Sequence, residues 1–188
     1  RYRVLRDLPG ALPLEGYLAP DTYRVFENAT VDSIVEKLVA ERERDFTDEM
    51  FIEVGRRGRT IHEVMTVASL VEREVRTPDD RAKVADIFWR RADAGWPLQA
   101  DSSVHYVIGK SGELFTTDRE RDVDSPWNTY KYPGLPPGPI ANPSHEAMVA
   151  TIYPEANSFW YFLTTLEGEV KYGRDLEEHN RNVARYLR

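Results

Sequence analysis

The chain has 188 residues, 41% of them hydrophobic and 30% charged, which suits one sizeable globular domain. Its net charge of −7 and the lack of a basic patch or stripe argue against nucleic-acid binding. Cysteine is absent, which excludes disulfides, thiolate metal sites and a cysteine nucleophile.

No stretch approaches the roughly 18–20 apolar residues of a membrane span, and no signal-peptide pattern is visible. The sequence starts Arg1-Tyr2-Arg3 without Met, so a piece of a longer protein is expected, with any membrane anchor outside this chain. Residues 7–23 are rich in Pro and Gly and read as irregular structure or a short strand. Across 31–56, Val31, Ile34, Val35, Leu38 and Val39 recur at helical spacing, followed by Phe51, Ile52 and Val54; one long helix or two short ones fit. The basic clusters Arg42/Arg44 and Arg56/Arg57/Arg59 are interleaved with acids and read as solvated helix faces.

Thr60 with Glu63 is a capping-box pair that opens a helix over 61–76, with Ile61, Val64, Met65, Ala68, Val71 and Val75 inward. Pro78-Asp79-Asp80 starts the next helix, over 78–94, which Gly95 closes. Residues 96–145 hold many Pro, Gly, Asn and Asp residues among aromatic ones, and read as a long loop region of the kind that carries function. Residues 159–172 read as a hairpin turning at Glu167-Gly168, and a last helix covers 175–187. The fold class is α+β: a helical core, a long Pro/Gly-rich loop region and a small antiparallel hairpin, all in one domain over 1–188.

Three segments can carry chemistry. At about 100° per residue, Glu72 falls near the centre of the apolar face of the 61–76 helix and Glu74 on its flank. A carboxyl against apolar surface has a raised pKa, which suits a general acid near neutral pH. The bland alternative is two acids paired to nearby arginines. In Gln99-Ala100-Asp101-Ser102-Ser103, amide, carboxylate and hydroxyls can bind sugar hydroxyls; the alternative is that Asp101 or Ser102 caps a helix starting at 103. Trp127-Asn128-Thr129-Tyr130 followed by Gly134-Leu135-Pro136-Pro137-Gly138-Pro139-Ile140 makes a stiff segment with few backbone donors, fit to hold a groove wall or merely to pack. His62, His105, His145 and His179 have no metal-ligand spacing and read as structural or surface residues. No Gly-x-Ser-x-Gly elbow or phosphate-cradling loop is present.

These segments in this order resemble the YceG-like (MltG) family of endolytic murein transglycosylases. The resemblance rests on Leu14-Glu15-Gly16-Tyr17-Leu18 with Pro20-Asp21-Thr22-Tyr23, on Ala68-Ser69-Leu70-Val71-Glu72-Arg73-Glu74, and on Val84-Ala85 with Phe88 and Arg90-Arg91. It continues through Pro97-Leu98-Gln99-Ala100-Asp101, Asn128-Thr129-Tyr130, Gly134 to Pro143, Phe159 to Phe162 and His179-Asn180. It implies cleavage of peptidoglycan strands between N-acetylmuramic acid and N-acetylglucosamine without water, leaving a 1,6-anhydro end, with no metal and no cofactor. One carboxyl donates a proton to the leaving oxygen and the 6-hydroxyl closes the ring, so the carboxylate pair of most glycosidases is not required.

The same resemblance makes Glu74 the catalytic residue and Glu72 a supporting one. It places Gln99, Asp101, Ser102, Asn128, Thr129 and Tyr130 in the sugar cleft, with Glu15 a further candidate. It implies a site of action at the outer face of the cytoplasmic membrane, alongside the peptidoglycan synthases, and makes residues 1–25 the junction to a LysM-like, anchored region. The chain departs from the family pattern at Ser102-Ser103, where Pro-Thr is usual, at His105, at Tyr153 and over Val170 to Gly173. Rival readings are an inert glycan-binding module, a muramidase-like hydrolase using Asp101 as second carboxylate, and a pyridoxal-phosphate lyase. The last needs a Schiff-base lysine, and none of the five lysines sits in a motif.

Overall fold

The computed structural model describes residues 2–110 and 116–187; part of the 96–145 region, residues 111–115, lies outside the described residues. A 3-10 turn at Arg3–Leu5 is followed by α1 (Val31–Arg44), α2 (Asp48–Arg56), α3 (Ile61–Glu74) and α4 (Pro78–Asp93). Then come α5 (Asp101–Ile108), α6 (Asp118–Arg121), α7 (His145–Ile152), the strands β1 (Tyr161–Thr164) and β2 (Val170–Gly173), and α8 (Leu176–Tyr186). The architecture is α+β, as expected from the sequence. No helix among the described residues is long and apolar enough to cross a membrane.

The 31–56 segment resolves into two helices. Thr30 caps α1 by accepting from Ser33 N at 3.2 Å, and Thr47 caps α2 by accepting from Met50 N at 3.3 Å. Helix α3 is the centre of the molecule, with α4 and α7 packed along it. Its residues from Val64 to Val71 are all buried, so it is apolar on every side there rather than on one stripe. Its two polar side chains in that stretch stay satisfied: Thr66 Oγ1 donates to His62 O at 2.8 Å and Ser69 Oγ to Thr66 O at 2.7 Å. The capping box at its start is present, Thr60 accepting from Glu63 N at 3.1 Å and Glu63 from Thr60 N at 2.8 Å.

Helix α3 is two residues shorter than its periodicity suggests. Val75 turns to φ −142° and ψ 156°, so Glu74 is the last helical residue and its side chain projects past the helix end. Thr164 Oγ1 of β1 donates to the otherwise orphaned Glu74 carbonyl at 3.3 Å.

The 96–145 region is not one loop. It contains α5 and α6, and α7 begins at its end. These helices are short and lack the apolar periodicity that marked α3. The hairpin pairs Tyr161 with Gly173 and Thr164 with Val170, and Gly168 (φ +87°) makes its turn. Phe162 meets Phe88 edge-on at 5.7 Å, which fastens the hairpin to α4. Val4 and Tyr17 are fully buried, so the first residues belong to the same core.

Candidate active site

Glu74 leaves the end of α3 and meets the start of α5. Its Oε1 accepts from Ser102 Oγ at 2.6 Å and from Ser102 N at 3.3 Å. Neither Asp101 nor Ser102 caps α5: the N-cap is Ala100, which has no side chain to offer. The carboxylate borrowed from α3 takes over that duty and satisfies one of the orphan amides of the helix start. Glu74 keeps part of its surface open while protein crowds its carboxyl. That burial pushes its pKa up to about 6, with Asp101 adding to the rise and the Ser102 hydrogen bonds opposing it. The site therefore holds a carboxyl that exchanges a proton near neutral pH.

Asp101, beside it, is engaged differently. Its Oδ1 accepts from Tyr130 OH at 2.7 Å and from the Thr116 hydroxyl, with Arg121 Nη2 at 3.6 Å. Arg121 also lies over the Tyr130 ring, 4.8 Å from its centroid, and donates from Nε to Thr116 Oγ1 at 2.7 Å. Burial, then Asp101, pushes the Tyr130 hydroxyl well above its ordinary range, so it stays a neutral donor. The result is a fixed Asp101–Tyr130–Arg121 group next to the labile Glu74.

Asn128 and Thr129 do not line a cleft; both side chains are buried and spend their polar atoms inside the protein. Asn128 Nδ2 donates to Arg121 O and Val123 O, each at 2.8 Å, and its Oδ1 accepts from Tyr130 N at 3.0 Å. Thr129 Oγ1 accepts from Ala100 N at 3.0 Å, and Thr129 O from Gln99 N at 3.0 Å. Their part is to hold Tyr130 and the Gln99–Ala100 backbone in place. Gln99 itself is exposed and sits at φ 56°, a left-handed conformation that costs a non-glycine residue about 1 kcal/mol or more. Such strain concentrates at functional positions.

The stiff Pro-Gly segment closes the other side. Ile140 N donates to Ser69 Oγ at 3.0 Å, which lays the segment on α3. His62, bridging Tyr17 OH and Pro137 O at 2.8 Å each, and Trp127 Nε1, donating to Gly138 O at 3.2 Å, fix it further. Between this segment and α5 lies a cleft of about 240 Å³, lined by Arg73, Ile140, the α5 residues Ser102, His105 and Tyr106, and Gly109 just past the end of α5. Their spacing is that of one helix face. A smaller groove of about 90 Å³ continues past Tyr106 to Glu15, Trp127 and Pro139. Tyr106 OH donates to Glu15 Oε2 at 2.7 Å, so Glu15 belongs to the groove wall.

Gly16 carries the close approach that this wall requires. Its φ is +92°, and a Cβ there would run into the Pro139 ring. Gly16→Ala is expected to destabilise the fold by about 1–3 kcal/mol, read from the denaturant midpoint.

Glu72 and Glu74 are not brought together by any hydrogen bond. Glu72 Oε2 accepts from Ser144 N at 3.1 Å and Ser144 Oγ at 2.5 Å, and its Oε1 from Arg81 at 3.4 Å. It ties α3 to the start of α7, so the helical phase that made it the better-buried acid pointed to a structural residue. The basic clusters also need correction. Arg44 and Arg56 are solvated, but Arg42 is wholly buried, and Arg59 stacks at 4.2 Å on Trp89 while pairing with Asp93 at 2.6 Å.

A helical α+β domain with one crowded carboxyl hydrogen-bonded to a cleft-lining serine is the class that fold and site define. Residues 4–185 match the YceG-like family model, and the chain belongs to that family. It is 35% identical over 175 residues to an endolytic murein transglycosylase of Bacillus subtilis (strain 168), covering 93% of this chain and 48% of that protein. It is 32% identical over 188 residues to the protein of the same name from Streptococcus pneumoniae (serotype 2, strain D39), covering 97% of this chain and 34% of that one. The chain thus spans a third to a half of the length of the curated relatives it matches. A crystal structure of a YceG-like protein from Listeria monocytogenes superposes with a TM-score of 0.84 at 34% identity, over 95% of this chain and 58% of that one.

Proposed function

We propose that this domain cuts peptidoglycan glycan strands internally as a lytic transglycosylase, with Glu74 as its single general acid and base. The observation that carries the reading is the Glu74 carboxyl itself, raised to about 6 by burial and hydrogen-bonded at 2.6 Å to Ser102, which lines the open cleft. Protonated, it donates to the oxygen between muramic acid and N-acetylglucosamine. The glycosidic bond breaks, and charge builds on the anomeric carbon. The carboxylate then takes the proton of the muramic acid 6-hydroxyl as that oxygen closes the 1,6-anhydro ring. Both transfers use one group whose pKa lies near the working pH, as efficient acid–base catalysis requires.

Ser102 steadies the carboxylate between the two steps. Asp101, with its Oδ1 occupied by Tyr130, Thr116 and Arg121, is suited to hold Tyr130 against the site rather than to activate water. Gln99 and Tyr130 supply polar contacts to the sugars, and the Tyr106–Trp127–Glu15 groove receives the continuing strand. The names of the relatives support murein as substrate. On the same reading the domain works at the outer face of the cytoplasmic membrane, beside the peptidoglycan synthases. The membrane attachment and the LysM-like region would lie in sequence outside this chain.

Digestion in water enriched in heavy oxygen tests the reaction. Transglycosylation leaves fragments without the label. One labelled oxygen per cut end would instead mean hydrolysis and would give Asp101 the role of second carboxylate.

A further inference from the structure

A second aromatic surface, distinct from the Tyr106–Trp127 groove, is built around Trp96. Trp96, in the turn after α4, is 42% exposed, although Trp side chains are mostly covered. Its ring packs against Trp160 at 4.8 Å and Tyr161 at 6.5 Å, tilted in both cases. The rings behind it are held by cations: Arg90 lies over Trp160 at 4.7 Å and Arg91 over Tyr161 at 5.0 Å. His179 stacks on Tyr161 at 5.2 Å. Trp96 is thus a ring backed by other aromatic side chains that stays partly exposed.

This platform is wired to the candidate active site. Arg91 is nearly buried and donates to Trp160 O at 2.9 Å, to Leu98 O at 2.7 Å and to Gln99 Oε1 at 3.4 Å. It therefore fixes the platform and the strained Gln99 in one frame, two residues before Asp101. Strand β1 makes the second link. It starts at Tyr161 and ends at Thr164, whose hydroxyl holds the Glu74 carbonyl. At about 3.3 Å per residue, that puts Tyr161, against which the Trp96 ring packs, about 10 Å along the strand from Thr164 at the end of α3.

We infer that Trp96, backed by Trp160 and Tyr161, is a stacking subsite for a sugar ring of a β-linked N-acetylglucosamine-type glycan bound at the Glu74 site. The flat face of a β-pyranose presents its axial C–H groups, and these pack on an aromatic ring without needing a hydrogen bond. The subsite rests on the glycan reading of the site and extends it to a strand held by a further aromatic contact.

The test is oligosaccharide affinity of the 188-residue chain carrying Glu74→Gln, titrated with N-acetylglucosamine oligomers of increasing length and read by tryptophan fluorescence and calorimetry. Adding Trp96→Ala is expected to weaken binding of the longer oligomers about ten-fold, and Trp96→Phe about three-fold or less, with unchanged melting temperatures. Equal affinity for Trp96→Ala and its parent would overturn the subsite. So would Trp96 fluorescence that responds to anionic phospholipid vesicles and not to oligosaccharide, because that behaviour belongs to a membrane surface. The two readings fail separately. Binding that depends on Trp96, when the chain with Glu74 intact cuts no peptidoglycan, would sink the transglycosylase reading and keep the subsite. Anhydro-ended cleavage with binding indifferent to Trp96 would do the reverse.

Discussion

Glu74→Gln is expected to lower strand cleavage by about 10²–10⁴-fold and, at the same time, to make the domain more stable at pH 7.5. The first effect follows from removing the only group proposed to move protons. The second follows from the raised pKa. An acid whose folded pKa of about 6 lies above its unfolded value of 4.5 binds its proton more tightly when folded. The stability this gives is fully present below pH 4.5 and is lost as pH rises through about 6. At pH 7.5 the folded domain holds a crowded carboxylate at a cost of about 1–2 kcal/mol. Glutamine keeps the oxygen that accepts from Ser102 and has no charge to bury, so the variant should melt a few degrees higher at pH 7.5. At pH 4 the two proteins should melt together. The wild-type kcat/KM should fall as pH rises past about 6, because the free enzyme must start protonated. Melting curves at both pH values and a pH–rate profile check all three statements.

Arg42→Ala carries the largest expected loss of stability. Arg42 is wholly buried and forks to Pro143 O at 2.6 Å and Leu18 O at 3.2 Å, with Met148 Sδ at 3.0 Å and Asp45 Oδ2 at 3.3 Å. One side chain thus joins the residues before α7 to the opening segment that carries Glu15, Gly16 and Tyr17. Alanine leaves two carbonyls without a donor, a half-buried Asp45 without its cation, and a cavity. Breaking one partner of a buried charge network costs about 3–5 kcal/mol, a large share of the about 5–15 kcal/mol that holds a domain together. The melting temperature should fall by roughly 10 °C or more. Arg42→Lys should recover only part of this, since an ammonium cannot present the planar fork whose Nη2 serves both carbonyls while Nη1 serves Met148 and Asp45.

Much of the fold was legible because the sequence marks it locally. The Thr60–Glu63 capping box, the Pro78 start of α4 and the turn at Gly168 each act within a few residues, and each is where it was expected. Helix α7 was hidden, and α5 was legible only as the alternative of a helix starting at 103, two residues late and with the wrong cap. Each has eight residues, and α5 starts with Asp101-Ser102-Ser103 and has no side chain at its own cap. That cap comes from Glu74, 28 positions earlier in the chain, and no local pattern reports it.

The same distinction explains the site. Helical phase ranks residues on one helix, so it favoured Glu72, which turned out to serve Ser144 and Arg81. What crowds the Glu74 carboxyl comes from the start of α5, far from α3 in sequence. The order of the motifs singled out Glu74, and periodicity did not. Asn128 and Thr129 mislead for a related reason. Polar side chains in a loop look ready for ligand, and here the loop itself uses them.

The most direct test of the central claim is mass analysis of purified peptidoglycan digested by this domain, by Glu74→Gln and by Glu72→Gln. The account predicts internal fragments with 1,6-anhydro ends from the wild-type chain. It predicts that these vanish with Glu74→Gln and persist, at a rate set by remaining stability, with Glu72→Gln. Anhydro-ended fragments that survive Glu74→Gln, or that vanish with Glu72→Gln in a chain that stays folded, would contradict it.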